Sequence, residues 1–373
     1  NVTFDATINA DKTVITINPN SDLPNSQDVY VAIGTSVEDT VGNTITAVNA
    51  TFTTVALQPS LATEPPLENP LETYSSSTNK HAVSTLGHLS YIAQNTIFWD
   101  KAFIQTADID ATVTKYWDDT DDSGGVAGDR YNDDNDETST GINEGFLPIG
   151  SNRYSSSYFT GEYDGGGYSI NNLTINRPSS SQYIGFFGQT QNATIKNLSL
   201  TNDNVTGKTV AGTLVGLSRN TTIDNCSSSG NVSGTSFVGG LIGYPYNNSI
   251  VRNSYSTASV SGSGNYVGGL VGYLYVSTIL NSYSTGGLMA SSANRGGLVG
   301  TRAGSTITDS FYDATTSGQS DTGKGTGKTT AEMKTLATFT DTATTGLSTS
   351  WDFDTIWNID NTSTINNGYP YLR

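Results

Sequence analysis

Short stretches of alternating apolar and polar residues fill most of the chain, and Gly, Asn or Ser ends each of them. This alternation predicts strands with one buried face, and long segments with helical spacing are missing from the repeat region. One aliphatic position recurs at a constant step of 28 residues, and an Asn or Asp follows two residues after it. Its members are Ile195, Ile223, Val251, Ile279 and Ile307, and we read Ile170 as an irregular earlier copy.

A second motif, Gly-Gly-Leu-Ile/Val-Gly, repeats almost in phase at residues 239–243, 268–272 and 296–300. Repeats of constant length with short strands predict a parallel β-helix, in which each repeat is one coil about 4.8 Å above the last. Equivalent residues then lie above one another. We therefore expect an aromatic stack of Tyr255, Tyr283 and Phe311, tight corners at the glycines, and a hydrogen-bonded ladder of Asn172, Asn197, Asn225, Asn253, Asn281 and Asp309.

The pattern resembles the GLUG repeat, named for its Gly-Leu-x-Gly core, of large bacterial surface proteins and adhesins. Segments 107–170 and 327–372 extend the resemblance, which covers about residues 80–373. It implies an all-β parallel β-helix (solenoid) at the cell surface, acting in adhesion or in building an extracellular fibre. A glycan or another surface receptor would be the partner.

Flanking segments divide the rest of residues 57–373. Residues 57–79 contain four prolines and predict a stiff linker, 80–157 an N-terminal cap with an acidic insertion, and 158–312 the β-helix. Residues 313–373 predict a C-terminal loop, a short helix opened by the capping box Thr329–Glu332, and an aromatic cap. The simplest interpretation of Trp351, Phe353, Trp357 and Ile359 is a lid, and the alternative is a sugar-binding platform.

Residues 1–56 have a different pattern, with about four strands and a Gly-Asn turn before the segment 51–54. They are similar to the second half of a bacterial Ig-like domain, at about half the roughly 100 residues of a full sandwich. We expect either that cleavage removed the missing strands or that another chain supplies them, which would favour self-association.

Composition narrows the set of partners. The chain has 17 Lys and Arg against 34 Asp and Glu, a formal net charge of −17, which disfavours nucleic acids and anionic membranes. The apolar run 266–276 is too short for a spanning helix, which needs about 20 residues. A single cysteine, Cys226, excludes a disulfide framework.

The acidic stretch 118–137 carries the clearest chemical signature. Crowded carboxylates in Gly-containing loops are typical of calcium sites, so we predict that Asp119, Asp121, Asp129 and Asp133 bind Ca²⁺. An EF-hand proper is excluded because Arg130 stands where that loop needs Glu. The alternative is a solvated acidic insertion.

Catalytic motifs are weak. The chain has neither His-Glu-x-x-His nor Gly-x-Ser-x-Gly, and we do not expect an enzyme. Two alternatives stay open: a carbohydrate-active β-helix enzyme, lyase or hydrolase, with Glu162 and Asp164 as an acid/base pair, and a purely structural spacer.

Overall fold

The computed structural model describes residues 4–8, 15–19, 28–33, 48–53, 69–70, 74–75, 79–117, 144–151, 158–179, 183–291, 293–320, 322–360 and 362–373. The chain forms two compact units, Asn1–Ala62 and Thr63–Arg373. In the first unit the described strands form two antiparallel pairs, Phe4–Ile8 with Ile15–Pro19 and Asp28–Ile33 with Val48–Thr53. Their assignment to an Ig-like domain stays a prediction.

The second unit is a parallel β-solenoid of about five coils, as the repeat predicts. In its described residues four sheets run along the stack, and we number them in the order used below. Sheet 1 contains Tyr74–Ser75, Lys80–Val83, Ala102–Gln105, Glu162–Asp164, Thr194–Lys196, Thr222–Asp224, Ile250–Arg252, Thr278–Leu280 and Thr306–Thr308. Its first two strands are antiparallel, and all its other pairs are parallel.

Sheets 2 and 3 are next to each other along each coil. Sheet 2 contains Phe187–Gln191, Val215–Arg219, Ile242–Tyr246, Val271–Tyr275 and Val299–Ala303. Sheet 3 contains Tyr183–Ile184, Val210–Gly212, Val238–Gly239, Val267–Gly268 and Arg295–Gly296.

Sheet 4 closes the coil. It contains Ile109–Asp110, Ser169–Asn171, Thr174–Arg177, Ser199–Gly207, Ser227–Gly234, Tyr255–Ser256, Ser259–Gly262, Tyr283–Ser284, Leu288–Ala290, Phe311–Asp313 and Thr326–Lys328. A separate antiparallel pair joins Trp357–Asn358 to Tyr371–Leu372.

Helices are short and lie outside the repeats. The α-helices are Leu86–Gln94, Ala314–Ser317, Thr330–Met333 and Ala337–Thr340, and the 3₁₀-helices are Thr96–Phe98, Thr112–Tyr116 and Asn366–Gly368. The first helix begins where the Thr85 side chain accepts a hydrogen bond from the backbone N–H of His88. At the other end of the unit, Thr329 and Glu332 form the predicted capping box.

The inward row of sheet 1 confirms the 28-residue register. Ile195, Ile223, Val251, Ile279 and Ile307 pair in sequence, and the first four are completely buried.

The prediction that Ile170 is an earlier member of this row is wrong. Tyr163 is the residue that pairs with Ile195, whereas Ile170 lies in sheet 4 between Ile109 and Leu200. Asn172 therefore belongs to another turn, where it accepts a hydrogen bond of 2.6 Å from Asn202. The coil from Tyr163 to Ile195 is longer than the later ones, so the Ile-Asn-Asn pattern that starts at Ile170 matches the motif without occupying its register.

The predicted ladder occupies a turn with left-handed backbone conformation. Asn197, Asn225, Asn253, Asn281 and Asp309 have φ between +46° and +56°. Asn tolerates this conformation better than other residues with a Cβ. The Asn225 amide donates to Asn197 Oδ1 at 2.9 Å, but Asn253 donates to the Asp224 carboxylate at 3.0 Å. A charged acceptor makes the stronger hydrogen bond, so the ladder is only partly built of amides.

The glycine motif marks close approaches between coils. A Cβ on Gly268 would lie 2.0 Å from the carbonyl oxygen of Val271 and 2.5 Å from the nitrogen of Gly300 in the next coil. Because both contacts are with backbone, a side chain here would separate the coils.

The C-terminal aromatic residues form a lid over the outer side of sheet 4. The outward rings of Tyr255 and Tyr283 stack at 4.9 Å with an angle of 1°. Trp351 and Trp357 are buried against this stack, together with Phe311 of the last coil. Burial of both tryptophans favours the lid interpretation over the sugar-platform alternative.

We expect Val251→Asp to abolish folding, because it places an unpaired charge at a fully buried position in the middle of the inward row. The adjacent Ile250 points outward with 37% exposure and is the matched control. Ile250→Asp should change the free energy of unfolding by about 0.5 kcal/mol or less. Urea denaturation followed by circular dichroism checks both, and equal effects would contradict the assigned facing of this strand.

Candidate functional site

Sheet 1 carries a cluster of four charged side chains on its outer face: Lys80, Glu162, Asp164 and Lys196. Glu162 and Asp164 flank the buried Tyr163 on one strand, so alternation directs both carboxylates outward. Lys80 Nζ lies 2.9 Å from an oxygen of each carboxylate. Lys196 Nζ lies 2.8 Å from Glu162 and 3.7 Å from Asp164.

Sequence position alone does not bring these groups together. Ala102 pairs with Glu162 in the strand between Lys80 and the first repeated coil. Since the side chain of Ala102 is small, Lys80 can reach past it to the carboxylates. The cluster thus ties the strand Lys80–Val83 to the solenoid.

Both carboxylates of this cluster are held in the ionised form. Burial disfavours the charge on Glu162, but hydrogen bonds from Lys196 and Lys80 outweigh it, and the pKa is lowered. Burial likewise opposes ionisation of Asp164, and hydrogen bonds from Asn197 and Lys80 again lower the pKa. A general acid needs a raised pKa, so the lowered pKa values disfavour both carboxylates as the general acid of glycoside hydrolysis.

A second cluster lies on the outside of sheets 2 and 3 and consists of six aromatic rings on two consecutive coils. We call it the aromatic patch, with members Phe237, Tyr244, Tyr246, Tyr266, Tyr273 and Tyr275. In the strand Ile242–Tyr246 and in Val271–Tyr275, the two tyrosines alternate with inward residues. The register places Tyr246 directly against Tyr275.

The rings of the patch form two columns along the solenoid. In the first, Tyr273 stacks with Tyr244 at 5.3 Å and 21°, and with Tyr266 at 4.8 Å and 20°. In the second, Tyr246 and Tyr275 stack at 5.5 Å and 12°. Offset stacks of this kind contribute about 0.5 to 1.5 kcal/mol per pair beyond the burial of area.

Two members of the patch have a strained backbone. Phe237 has φ of +52° and Tyr266 has φ of +65°, a conformation that costs a bulky residue about 1 to 3 kcal/mol. Each ends a loop just before a strand of sheet 3, and the left-handed turn brings its ring against the tyrosines of sheet 2. Such strain is typical of functional surfaces, and here contacts between rings offset it.

The aromatic patch stays partly exposed, unlike the aromatic stack beneath the lid. All six residues are half-buried, and none of the five tyrosine hydroxyls hydrogen-bonds to a described residue. By contrast, Tyr283 under the lid is completely buried, and its hydroxyl donates to Pro370. Burial, followed by the neighbouring Tyr273, raises the pKa of Tyr244 to about 12, so its hydroxyl remains a neutral donor.

The predicted calcium ligands Asp119, Asp121, Asp129 and Asp133 lie outside the described residues. The described residues contain no group of three His, Cys, Asp or Glu side chains that could hold a metal. The two flanks of the acidic stretch do meet, since the N–H of Gly145 donates to the carbonyl of Trp117 at 3.0 Å. Among described residues, no helix has the length and apolar character to cross a membrane.

Sequence reasoning missed the aromatic patch. The signal was present as two Tyr-x-Tyr pairs, residues 244–246 and 273–275, each following a motif glycine. A spacing of two in a strand places both rings on one face, and the shared repeat position places them in adjacent coils. The contributions of Phe237 and Tyr266 depend on backbone angles that the sequence pattern did not indicate.

Comparisons with known proteins support the repeat assignment. Residues 234–261 match the family model described as the GLUG motif. The chain is 31% identical over 148 residues, 38% of its length, to halomucin of Haloquadratum walsbyi, and it spans about 1% of that protein. Together these similarities support the predicted GLUG repeats.

The fold also has a solved counterpart. A crystal structure from Bacteroides ovatus, described as that of a proposed immunoglobulin A1 protease, matches with a TM-score of 0.55. The match covers 81% of this chain and 94% of the other, at 18% identity. At this level of identity the similarity shows the fold alone.

We expect Lys80→Met to lower the free energy of unfolding by about 1 to 3 kcal/mol near neutral pH, because two carboxylates lose a charged donor. The carboxylate pKa values are lowered in the folded state, so this stabilisation is present above about pH 4 and is lost as pH falls further. The pKa of Lys80 is raised although burial opposes its charge, since both carboxylates accept its hydrogen bonds. Its contribution is therefore lost only as pH rises through a value above about 10.4.

Chemical denaturation of both proteins between pH 3 and pH 9 measures this difference. Lys101→Met is the control, since Lys101 pairs with Asp100 at 2.8 Å in an exposed position. It should change stability by less than about 1 kcal/mol. A Lys80→Met effect that persists undiminished at the acid end would contradict the ion-pair explanation.

Proposed function

We propose that this GLUG-repeat solenoid acts outside the cell in adhesion, and that its aromatic patch is the surface that contacts a carbohydrate. The observation that carries the proposal is the patch itself: six half-buried rings on the outer face of a rigid stack, five of them tyrosines whose hydroxyls have no partner among the described residues. The similarity to halomucin and the GLUG motif support a surface protein. Extracellular location and adhesion are parts of the proposal that go beyond these similarities.

The chemistry of the patch suits a sugar. A pyranose has an apolar face of C–H groups and a rim of hydroxyls, and tyrosine offers an apolar ring with a polar tip. The column of Tyr246 and Tyr275 offers such rings with hydroxyls that have no partner in the described structure. Because the strands carrying them pair on both sides, the rings are preorganised and lose little freedom on binding.

The ion-pair cluster of sheet 1 favours this proposal over the hydrolase form of the enzymatic alternative. Its four charges satisfy one another, and both carboxylates have lowered pKa values. Structural bracing accounts for every contact that the cluster makes. A spacer would need no exposed aromatic patch, and the strain at Phe237 and Tyr266 has no purpose in one.

Calcium binding by the acidic stretch is a second part of the proposal. The flanks of this stretch are held together by the hydrogen bond from Gly145 to Trp117, and the Glu144 carboxylate pairs with Arg177 at 2.5 Å. A loop with fixed ends needs less ordering when its carboxylates surround a cation. We propose Ca²⁺ as a stabilising ion and not as a catalytic one.

Fibre building is the alternative use of the same surface protein. It rests on the Asn1–Ala62 unit, whose described strands form two separate antiparallel pairs. Strand donation from another copy would complete a sandwich and link chains. Light scattering on the native protein distinguishes linked chains from monomers.

Tyr246→Ala combined with Tyr275→Ala should abolish carbohydrate binding, because it removes one column of the aromatic patch. Binding is measured on a glycan array with the intact chain, and melting curves show that the variant is folded. Tyr168→Ala is the control, since Tyr168 is an exposed ring outside the patch. A wild-type protein that binds no glycan on the array contradicts the proposed function.

Millimolar Ca²⁺ should raise the melting temperature of the intact chain relative to excess chelator, because a ligand that binds only the folded state stabilises it. Mg²⁺ should substitute poorly, since it requires a more regular octahedron of oxygens. Combined replacement of Asp119, Asp121, Asp129 and Asp133 by Asn should remove the difference. Identical melting curves with Ca²⁺ and with chelator would show that the site is absent.

A further inference from the structure

We infer that a neutral sugar ring binds on the free face of Tyr275. In the next coil the position of this ring is taken by Ala303, and we call the resulting drop in height from ring to methyl group the step. This inference rests on the proposed carbohydrate binding and specifies where the sugar lies and which class of sugar it is. The Gly-Gly-Leu-Ile/Val-Gly motif does not include these positions, although the 28-residue step aligns Ala303 with Tyr275.

The first column of the aromatic patch offers no free central face. Tyr273 has near-parallel neighbours in both Tyr244 and Tyr266. Tyr266 belongs to the same coil as Tyr273, and Tyr244 belongs to the preceding coil. Tyr273 therefore lies between other rings of the patch.

The second column ends differently. Tyr275 stacks with Tyr246 on one face, and among the described residues its other ring contact is the tilted Tyr273 at 5.9 Å and 46°. The register places Ala303 over Tyr275 in the next coil and Thr301 over Tyr273. A methyl group cannot cover the Tyr275 ring as Tyr275 covers Tyr246, and Tyr275 is half-buried.

The size of this step selects the occupant. Coils are about 4.8 Å apart, so the step is about one ring deep. An α-helix, about 10 Å across, is too thick to enter it. A partner strand cannot be added to Val271–Tyr275, because that strand already pairs with Ile242–Tyr246 and Val299–Ala303. A flat, hydroxylated ring fits both the depth and the free tyrosine hydroxyls.

Charge argues for a neutral sugar. Thr301 and Ala303, the outward residues of the last coil in sheet 2, carry no charge, and Thr301 has a hydroxyl. Arg302 between them is engaged, donating to the carbonyls of Gly323 at 2.5 Å and Ser305 at 2.7 Å. The chain's net charge of −17 repels acidic polysaccharides, and the step offers no described cation to offset this.

The experiment fills the step without removing any ring. Ala303→Leu places an aliphatic side chain over Tyr275, at an outward strand position. Thr308→Leu is the control in the same coil, on the outer face of sheet 1, where the preceding coil already carries Leu280. Both proteins and the wild type are tested on an array of defined neutral and acidic oligosaccharides, with titration calorimetry on the strongest ligand.

We expect the wild type to bind neutral oligosaccharides, Ala303→Leu to weaken this binding about tenfold or more, and Thr308→Leu to change it less than about twofold. Tyr275→Leu, which keeps bulk but removes the flat face, should lose binding to the same extent. Tyr275→Leu also tests the site if Ala303→Leu does not fold. Tyr168→Leu is its matched control.

The outcomes separate the two proposals. If the wild type binds no oligosaccharide, the proposed function fails. If it binds neutral sugars but neither Ala303→Leu nor Tyr275→Leu weakens binding, carbohydrate binding stands and the Tyr275 site is wrong. If only acidic oligosaccharides bind, the inference of a neutral ligand is overturned.

Discussion

Parallel hydrogen bonding between successive coils is the constraint on which the rest of this solenoid depends. Each strand pairs in register with its equivalents above and below, so a residue's nearest neighbours are those one repeat away. The inward aliphatic row, the Asn turn and the columns of rings are all consequences of this pairing. This pairing requires glycine at positions such as Gly268, because the backbones of adjacent coils approach too closely there for a Cβ.

Pairing in register also stacks equivalent outward side chains above one another. For aromatic residues this produces one stack that is buried and one that stays partly exposed. The outward stack of Tyr255 and Tyr283 is covered by the C-terminal lid and becomes part of a core. On sheets 2 and 3 the aromatic patch is not covered by the described residues of its own unit, and its tyrosine hydroxyls keep no described partner. This contrast within one molecule supports a ligand-facing role for the patch.

Much of the fold could be predicted because the constant repeat length fixes which residues are equivalent in successive coils. The register, the inward row, the capping box at Thr329 and the lid tryptophans all follow from residue type at fixed spacing. The errors occur where the repeat is irregular: Ile170 copies the local pattern but lies in sheet 4, because the coil that begins at Tyr163 is longer. Only part of the aromatic patch could be predicted from the sequence. Alternation accounts for the positions of Tyr246 and Tyr275, but it does not account for Tyr266, whose backbone is left-handed.

The amino-acid sequence by itself therefore determined the architecture, because stacked coils require equivalent residues at a constant interval, and that interval can be read directly. It also determined the acidic character and the rows that face inward. Only the tertiary structure decided which outward rows are covered and which ring faces remain free. Those outcomes depend on contacts between segments with no fixed spacing, such as the lid on Tyr283, Lys80 reaching past Ala102, and the left-handed loop that brings Tyr266 against Tyr273.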